Sequence, residues 1–155
     1  MDVTVRTAEV ADLEILLDFE QGVIEAERPF DETLKPESIR YYDLAAMLAA
    51  PHIRVVVAEF DGQVVGSGYA RIEDSKPYLD HEQHAYMGFM FTVPEHRGKG
   101  VNQKIIKELE RWSVSNGVTE MRLEVYVDNV SAIRAYEKIG YSASISKMRK
   151  RISED

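Results

Sequence analysis

The order of hydrophobic patterns predicts an α/β fold. Runs of strand character alternate along the chain with runs of helical spacing, and Gly, Pro or Asp-Gly stand at the changeovers. The chain is 155 residues long, about the size of one core and too short for two substantial ones, and it shows no internal repeat, low-complexity segment or linker. A single domain over residues 1–155 is expected. With 45% hydrophobic and 30% charged residues the balance is globular, and no run reaches the about 18 apolar residues that span a bilayer. A soluble protein without a membrane partner is expected.

Val3-Thr4-Val5 alternates like a short strand, and residues 12–27 place Leu13, Leu16, Leu17 and Val23 at helical spacing. Pro36 stands where a second helix can begin, with Ile39, Leu44, Met47 and Leu48 as its apolar face and Pro51 as its end. Residues 53–60 and 64–73 are β-rich runs joined by Asp61-Gly62, a pair suited to the positive φ angles of a tight hairpin. After a polar stretch, residues 85–93 form another strand, whose Tyr86, Met87, Phe89, Met90 and Phe91 predict burial on both faces. A helix over 101–116 follows, with Val101, Ile105, Leu109 and Trp112 on one stripe and Gly117 as its stop. Met121, Leu123, Val125 and Val127 then alternate. Ala132, Ile133, Tyr136 and Ile139 read as a short helix ended by Gly140, and a last strand over 141–148 completes the pattern.

Composition narrows the chemistry. Without cysteine the chain forms no disulfide, thiolate metal site or acyl-cysteine intermediate. Its first residues lack the basic patch and apolar stretch of a secretory signal, so a cytoplasmic location is expected. Lys plus Arg total 19 and Asp plus Glu 27, and the net charge of −8 repels a phosphate backbone, so no nucleic-acid partner is expected. A negative field suits a cationic amine, although a solvated acidic surface is the commoner reason for such a balance. His81 and His84 are three apart but have no fitting third ligand, so no metal is expected.

The most informative segment is His96-Arg97-Gly98-Lys99-Gly100, lying between a strand and a helix. Such a junction aims several free backbone N–H groups at one point, which suits an anion. Gly98 and Gly100 have no side chain to hold a ligand away, and Arg97 and Lys99 add positive charge. The helix dipole contributes only about 1 kcal/mol, so several N–H bonds must carry the binding, and a diphosphate matches that better than one carboxylate. A P-loop reading fails because Lys99 is followed by Gly100 rather than Ser or Thr; a Rossmann reading is poor because Gln103 stands where a third glycine belongs. An exposed turn that binds nothing is the plain alternative.

These residues resemble the GNAT superfamily of N-acetyltransferases, whose cofactor motif is Arg/Gln-x-x-Gly-x-Gly/Ala between a strand and a helix. Arg97, Gly100 and the spacing match it. Residues 123–129 and 132–141, from Leu123-Glu124-Val125 to Gly140-Tyr141, are similar to that family's second signature. The resemblance implies a mixed, mostly antiparallel central sheet flanked by helices and acetyl-CoA as co-substrate. It implies contacts to that co-substrate from Met90, Phe91, Thr92, Arg97, Gly98, Lys99, Gly100, Val101, Asn102 and Asn129. Asn102 stands where the family has glycine or alanine; it can cap the helix or donate to a phosphate oxygen, and binding is expected to survive it. Read without the family, residues 90–92 are a core strand and Asn129 is a helix cap.

Direct acetyl transfer needs a neutral amine, and an alkyl amine of pKa about 10.4 is neutral at pH 7 only at a cost of about 4.6 kcal/mol. The resemblance aligns Glu124 with a proton acceptor of ribosomal-protein alanine N-acetyltransferases, with His84 and Glu82 as substitutes, and Tyr136 with the tyrosine that protonates the departing thiolate. A surface-paired carboxylate and a core tyrosine are the structural alternatives. Glu25, Glu27, Asp31 and Glu32 fall where the family shapes its acceptor site, and also read as a solvated loop. The expected acceptor is a small-molecule or peptide amine, and a homodimer is the base-rate assembly. A noncatalytic acyl-CoA-binding module on the same fold is the rival function, with a cofactor-free interaction domain behind it.

Overall fold

The computed structural model describes residues 2–154, which divide into two compact units after Glu124. In the first unit β1 (Thr4–Thr7), β2 (Ile53–Phe60), β3 (Gln63–Asp74), β4 (Gln83–Thr92) and β5 (Met121–Arg122) form one sheet in sequence order. The first four strands pair antiparallel and β5 runs parallel to β4. Three helices cover the sheet: α1 (Leu13–Glu27), α2 (Leu44–Ala49) and α3 (Val101–Ser115). This is the mixed, mostly antiparallel sheet flanked by helices that the family resemblance implies.

Asp61 and Gly62 adopt φ of 53° and 78°, the left-handed values that close the β2–β3 hairpin. Neighbouring side chains of β4 point to opposite faces, which explains its unbroken apolar run. The Phe91 ring meets α1 at Gly22, whereas the Met90 sulfur lies toward α3 at Gly68. On the α1 side, Val55, Val57, Tyr69 and Phe89 pack with Leu16, Phe19 and Val23 of α1 and Leu44 and Met47 of α2. On the other side Val101, Ile105 and Leu109 of α3 are buried, Val101 and Ile105 over Gly66 and Ile105 over Gly68. A Cβ on Gly68 would lie 2.7 Å from Ile105 Cγ2 and 2.8 Å from the Met90 sulfur, so α3 rests directly on strand backbone.

Two expected elements are corrected. The second helix begins at Leu44 rather than near Pro36, because side chains claim the backbone before it. Arg28 donates to the carbonyls of Lys35 and Glu37, and Glu20, with no exposed surface, accepts from the amides of Tyr41 (2.8 Å) and Tyr42 (2.7 Å). Asp43 then caps the helix by accepting from Ala46 N–H. The last strand over 141–148 is not formed: among the described residues 141–154 carry no regular structure, and Ile145 and Met148 are 91% and 93% exposed. Met148 breaks the alternation of Tyr141, Ala143 and Ile145, cations crowd 147–151, and the second unit contains no other strand among its described residues to complete a ladder. That unit's helix, α4 (Val130–Lys138), stands close to expectation, ending before Gly140 at φ 99°.

Two stability effects follow. Gly68→Ala forces Ile105 or the β3 backbone to move and lowers the unfolding free energy by about 1–3 kcal/mol, read from urea denaturation. Glu20→Ala strands two part-buried N–H groups and costs about 2–4 kcal/mol in the same assay.

Candidate functional site

The site begins with a break in the sheet. Along β3 and β4, Ser67 faces Phe91 and Tyr69 faces Gly88, so Phe89 and Met90 together stand opposite Gly68 alone. This bulge puts Phe89 at φ 58°, a left-handed angle that a bulky side chain adopts only when its surroundings impose it. Those surroundings are present: Phe89 is buried, its carbonyl accepts from the buried Ser67 hydroxyl at 3.1 Å, and Tyr42 lies with its ring tilted against that of Phe89 at 5.2 Å and hydrogen-bonds its main chain. A bulge bends and twists its strand. The β5 pairing covers Ala85 and Tyr86 only, so from Met87 to Thr92 the flank of β4 away from β3 has no strand partner among the described residues. Val93 N–H donates to Val65 carbonyl, and by antiparallel alternation Phe91 also turns toward β3, which leaves the main chain of Met90 and Thr92 facing outward.

The outward edge of β4 leads into the glycine loop. A 3₁₀ turn, Pro94–His96, is followed by Gly98 at φ 75° and Gly100 at φ 82°, and beyond the adjoining residues nothing lies within 4 Å of where a Cβ on either would sit. Gly100 is the N-terminal boundary residue of α3, and no side chain caps the helix there, so its first N–H groups point outward unclaimed by a capping group. Asn102 therefore makes no cap; its Oδ1 is buried without a hydrogen-bond partner. Arg97 is braced over the loop, its Nε donating to the Thr92 carbonyl at 2.9 Å and its guanidinium 5.7 Å from the Phe91 ring. Lys99 is exposed beside it.

Glu124 is exposed two residues beyond β5, and its Oε1 accepts from the Tyr86 hydroxyl at 3.1 Å. Tyr86 belongs to a row of aromatic rings, 6.4 Å from Tyr69, which lies 5.7 Å from Tyr42, itself 5.7 Å from Tyr41. Burial, and next the Glu124 carboxylate, lift the Tyr86 hydroxyl above the ordinary tyrosine range; burial and then Tyr69 do the same to Tyr42. Glu27 is half-buried at the α1 end of this region, and burial raises its carboxyl. Glu25 is exposed and pairs with Arg28, and Glu32 is exposed. Asp31 accepts from the Thr33 amide. Of the substitute bases, His84 is buried between Glu73 (3.0 Å) and the Ser75 hydroxyl (2.9 Å), whereas Glu82 is exposed. His81 contacts Asp80 and Arg122, away from those partners.

In the second unit, Tyr136 is half-buried on α4 with its ring 6.3 Å from Tyr141, edge to face, and Asn129 caps the same helix, accepting from Ala132 N–H at 3.3 Å. Within the first unit the fold thus joins the 90–92 edge, the glycine loop and Arg97 into one continuous surface. Sequence reasoning missed the tyrosine row and buried Glu20. The signal available was the Tyr41-Tyr42 pair next to the acidic segment and two tyrosines in adjacent β-rich runs, a pattern that also describes an ordinary core.

Comparison with known proteins places this geometry. Residues 19–141 match the model of the Acetyltransferase (GNAT) family. Acetyltransferase SG1711 of Sodalis glossinidius is 31% identical over 140 residues, covering 89% of this chain and 92% of that protein. The uncharacterized N-acetyltransferase YobR of Bacillus subtilis is 43% identical over 51 residues, which are 33% of this chain and 21% of YobR. Among solved structures, a predicted acetyltransferase from Clostridium acetobutylicum, crystallised with acetyl-CoA, aligns with a TM-score of 0.76 at 16% identity over 97% of this chain and 96% of that one. At that identity the likeness is one of fold. A family pattern that runs from within α1, through the bulged strand and the glycine loop, to the residue after Gly140 means that the chain belongs to the acetyltransferase (GNAT) family.

Proposed function

We propose that the protein is an acetyl-CoA-dependent N-acetyltransferase that moves the acetyl group to a primary amine of a small molecule or peptide by direct, sequential transfer. The observation that carries this reading is the unpartnered β4 edge running straight into a left-handed glycine loop at an uncapped helix start. An extended amide-bearing arm adds to the edge as a further strand, through the outward main chain of Met90 and Thr92 with Phe91 between them. A diphosphate suits the loop: the amides from Gly98 to Asn102 surround an anion without a Cβ in the way, and Arg97 and Lys99 supply countercharge. Asn129 contributes at the start of α4, where its side chain already serves as cap. Membership of the GNAT family and the acetyltransferase relatives support the same assignment.

Bound along this edge, acetyl-CoA supplies a thioester whose carbonyl carbon is open to attack by a neutral amine. The chain's residues then manage protons. Glu124, exposed at the level where β5 leaves β4, takes the proton from the amine nitrogen as the C–N bond forms. Tyr136 gives its hydroxyl proton to the sulfur as the C–S bond breaks, leaving an amide and a free thiol. Because the chain has no cysteine, the acetyl group is not parked on a thiol of the protein, and both substrates bind before transfer.

Calorimetry with acetyl-CoA and an acetylation screen across amines test the proposal. Gly98→Val, which strains a φ of 75° and fills the cradle, weakens acetyl-CoA binding at least about tenfold while the fold is kept. Tyr136→Phe and Glu124→Gln each lower kcat by about 10²–10⁴ with the acetyl-CoA Kd unchanged. Full activity in Tyr136→Phe removes that residue from the reaction, and absence of acetyl-CoA binding in the intact protein removes the proposal.

A further inference from the structure

Glu124 is exposed, beyond the last ladder pair of β5, where nothing in the sheet fixes its rotamer. A proton acceptor left free in solvent spends most of its time in the wrong place, and misplacement by about 1 Å can cost about 10²-fold in rate. Among the described residues, the hydrogen bond given to the Glu124 carboxylate comes from the Tyr86 hydroxyl, at 3.1 Å. We propose that Tyr86 is the positioning residue for Glu124, and that its ring is held for this task by a chain of contacts reaching back to buried His84.

The contacts run without a break from Glu124 to His84. Tyr86 sits at the last β4 position still paired to β5, opposite Arg122, three residues before the left-handed Phe89. Its backbone is therefore anchored on both sides, while its side chain reaches toward the place where the strands part. The Arg71 guanidinium lies 5.4 Å from the Tyr86 ring centre and 5.7 Å from that of Tyr69, against two neighbouring aromatic rings. Arg71 cannot swing away, because its Nε donates to Glu73 Oε2 at 2.6 Å. Glu73 is fixed in turn, its other oxygen 3.0 Å from His84 Nε2, and the His84 ring is buried with Nδ1 2.9 Å from the Ser75 hydroxyl. Each link locks the next, so a buried imidazole sets the rotamer of a partly exposed phenol. That phenol aims an exposed carboxylate.

A purely structural account of Tyr86 would stop at its ring, which packs by Tyr69 and under Arg71 and is retained in Tyr86→Phe. The hydroxyl is the part that serves Glu124. The inference rests on Glu124 as proton acceptor, and the experiment separates the two. Wild type, Tyr86→Phe, Glu124→Gln and the double variant are compared for kcat, for KM of acetyl-CoA and for thermal midpoint. Expected is a fall in kcat of about tenfold or more for Tyr86→Phe, with KM for acetyl-CoA and the melting temperature near wild type. In the double variant kcat equals that of Glu124→Gln alone, because two residues acting in one step are not additive. A kcat in Tyr86→Phe equal to wild type, or a double variant whose losses multiply, overturns the positioning role. Unchanged kcat in Glu124→Gln overturns the base assignment itself and the positioning role with it. Arg71→Lys provides a second check: it keeps the charge but loses the planar stack, and kcat drops by a smaller factor in the same direction.

Discussion

Everything in the first unit depends on holding one bulky residue in a conformation it would not choose. Phe89 at φ 58° is costly for a non-glycine residue, of the order of 1–3 kcal/mol, and persists only because its neighbours over-determine it. Its ring is buried in the α1 and α2 core, its carbonyl is taken by Ser67 Oγ and its main chain by Tyr42. The burial of one phenyl ring, about 1.5–3 kcal/mol, is of the same size as the strain it offsets. The extra residue at this point bends β4, and the strand leaves β5 unpaired after two positions. The open edge that leads to the glycine loop is thus a by-product of core packing on the opposite side of the strand.

Much of this was legible in the sequence, and the reasons differ by element. The hairpin could be read because Asp61-Gly62 has few other uses, and α3 because its stripe and its glycine boundaries agree. The glycine loop stood out because two glycines and two cations stand together at a strand-to-helix junction, and the structure gives both glycines positive φ. The bulge did not, since Phe89 is an apolar residue in an apolar strand and the positive φ leaves no mark on composition. Residues 36–43 misled because apolar spacing cannot reveal that a distant carboxylate, Glu20, claims the amides a helix would need. The final segment misled for the opposite reason: Tyr141, Ala143 and Ile145 alternate well, but a strand exists only through its neighbour.

The sheet also divides labour between its faces. α3 lies on Gly66 and Gly68, close enough that its first turn is registered against the strands with almost no side chain between. The other face carries rings and carboxyls, from Glu27 through Tyr42 and Tyr69 to Tyr86 and Glu124, whose mutual electrostatic influence runs across β3 and β4. Rigid backbone packing under the loop and adaptable side chains on the opposite face are different material properties, and one twisted sheet provides both.

The stretch between Phe30 and Asp43 is fastened to α1 and the turn after it by side chains, among them the guanidinium of Arg28, the amide of Gln21 and the carboxylate of Glu20, rather than by a strand ladder. A segment clipped by a few side chains is interchangeable in a way that a woven strand is not, because lengthening a loop changes closure entropy only slowly. Grafting a different insert into this stretch, with Tyr42 kept against Phe89, would leave the sheet and the α3 junction untouched, so one chassis can carry many rims.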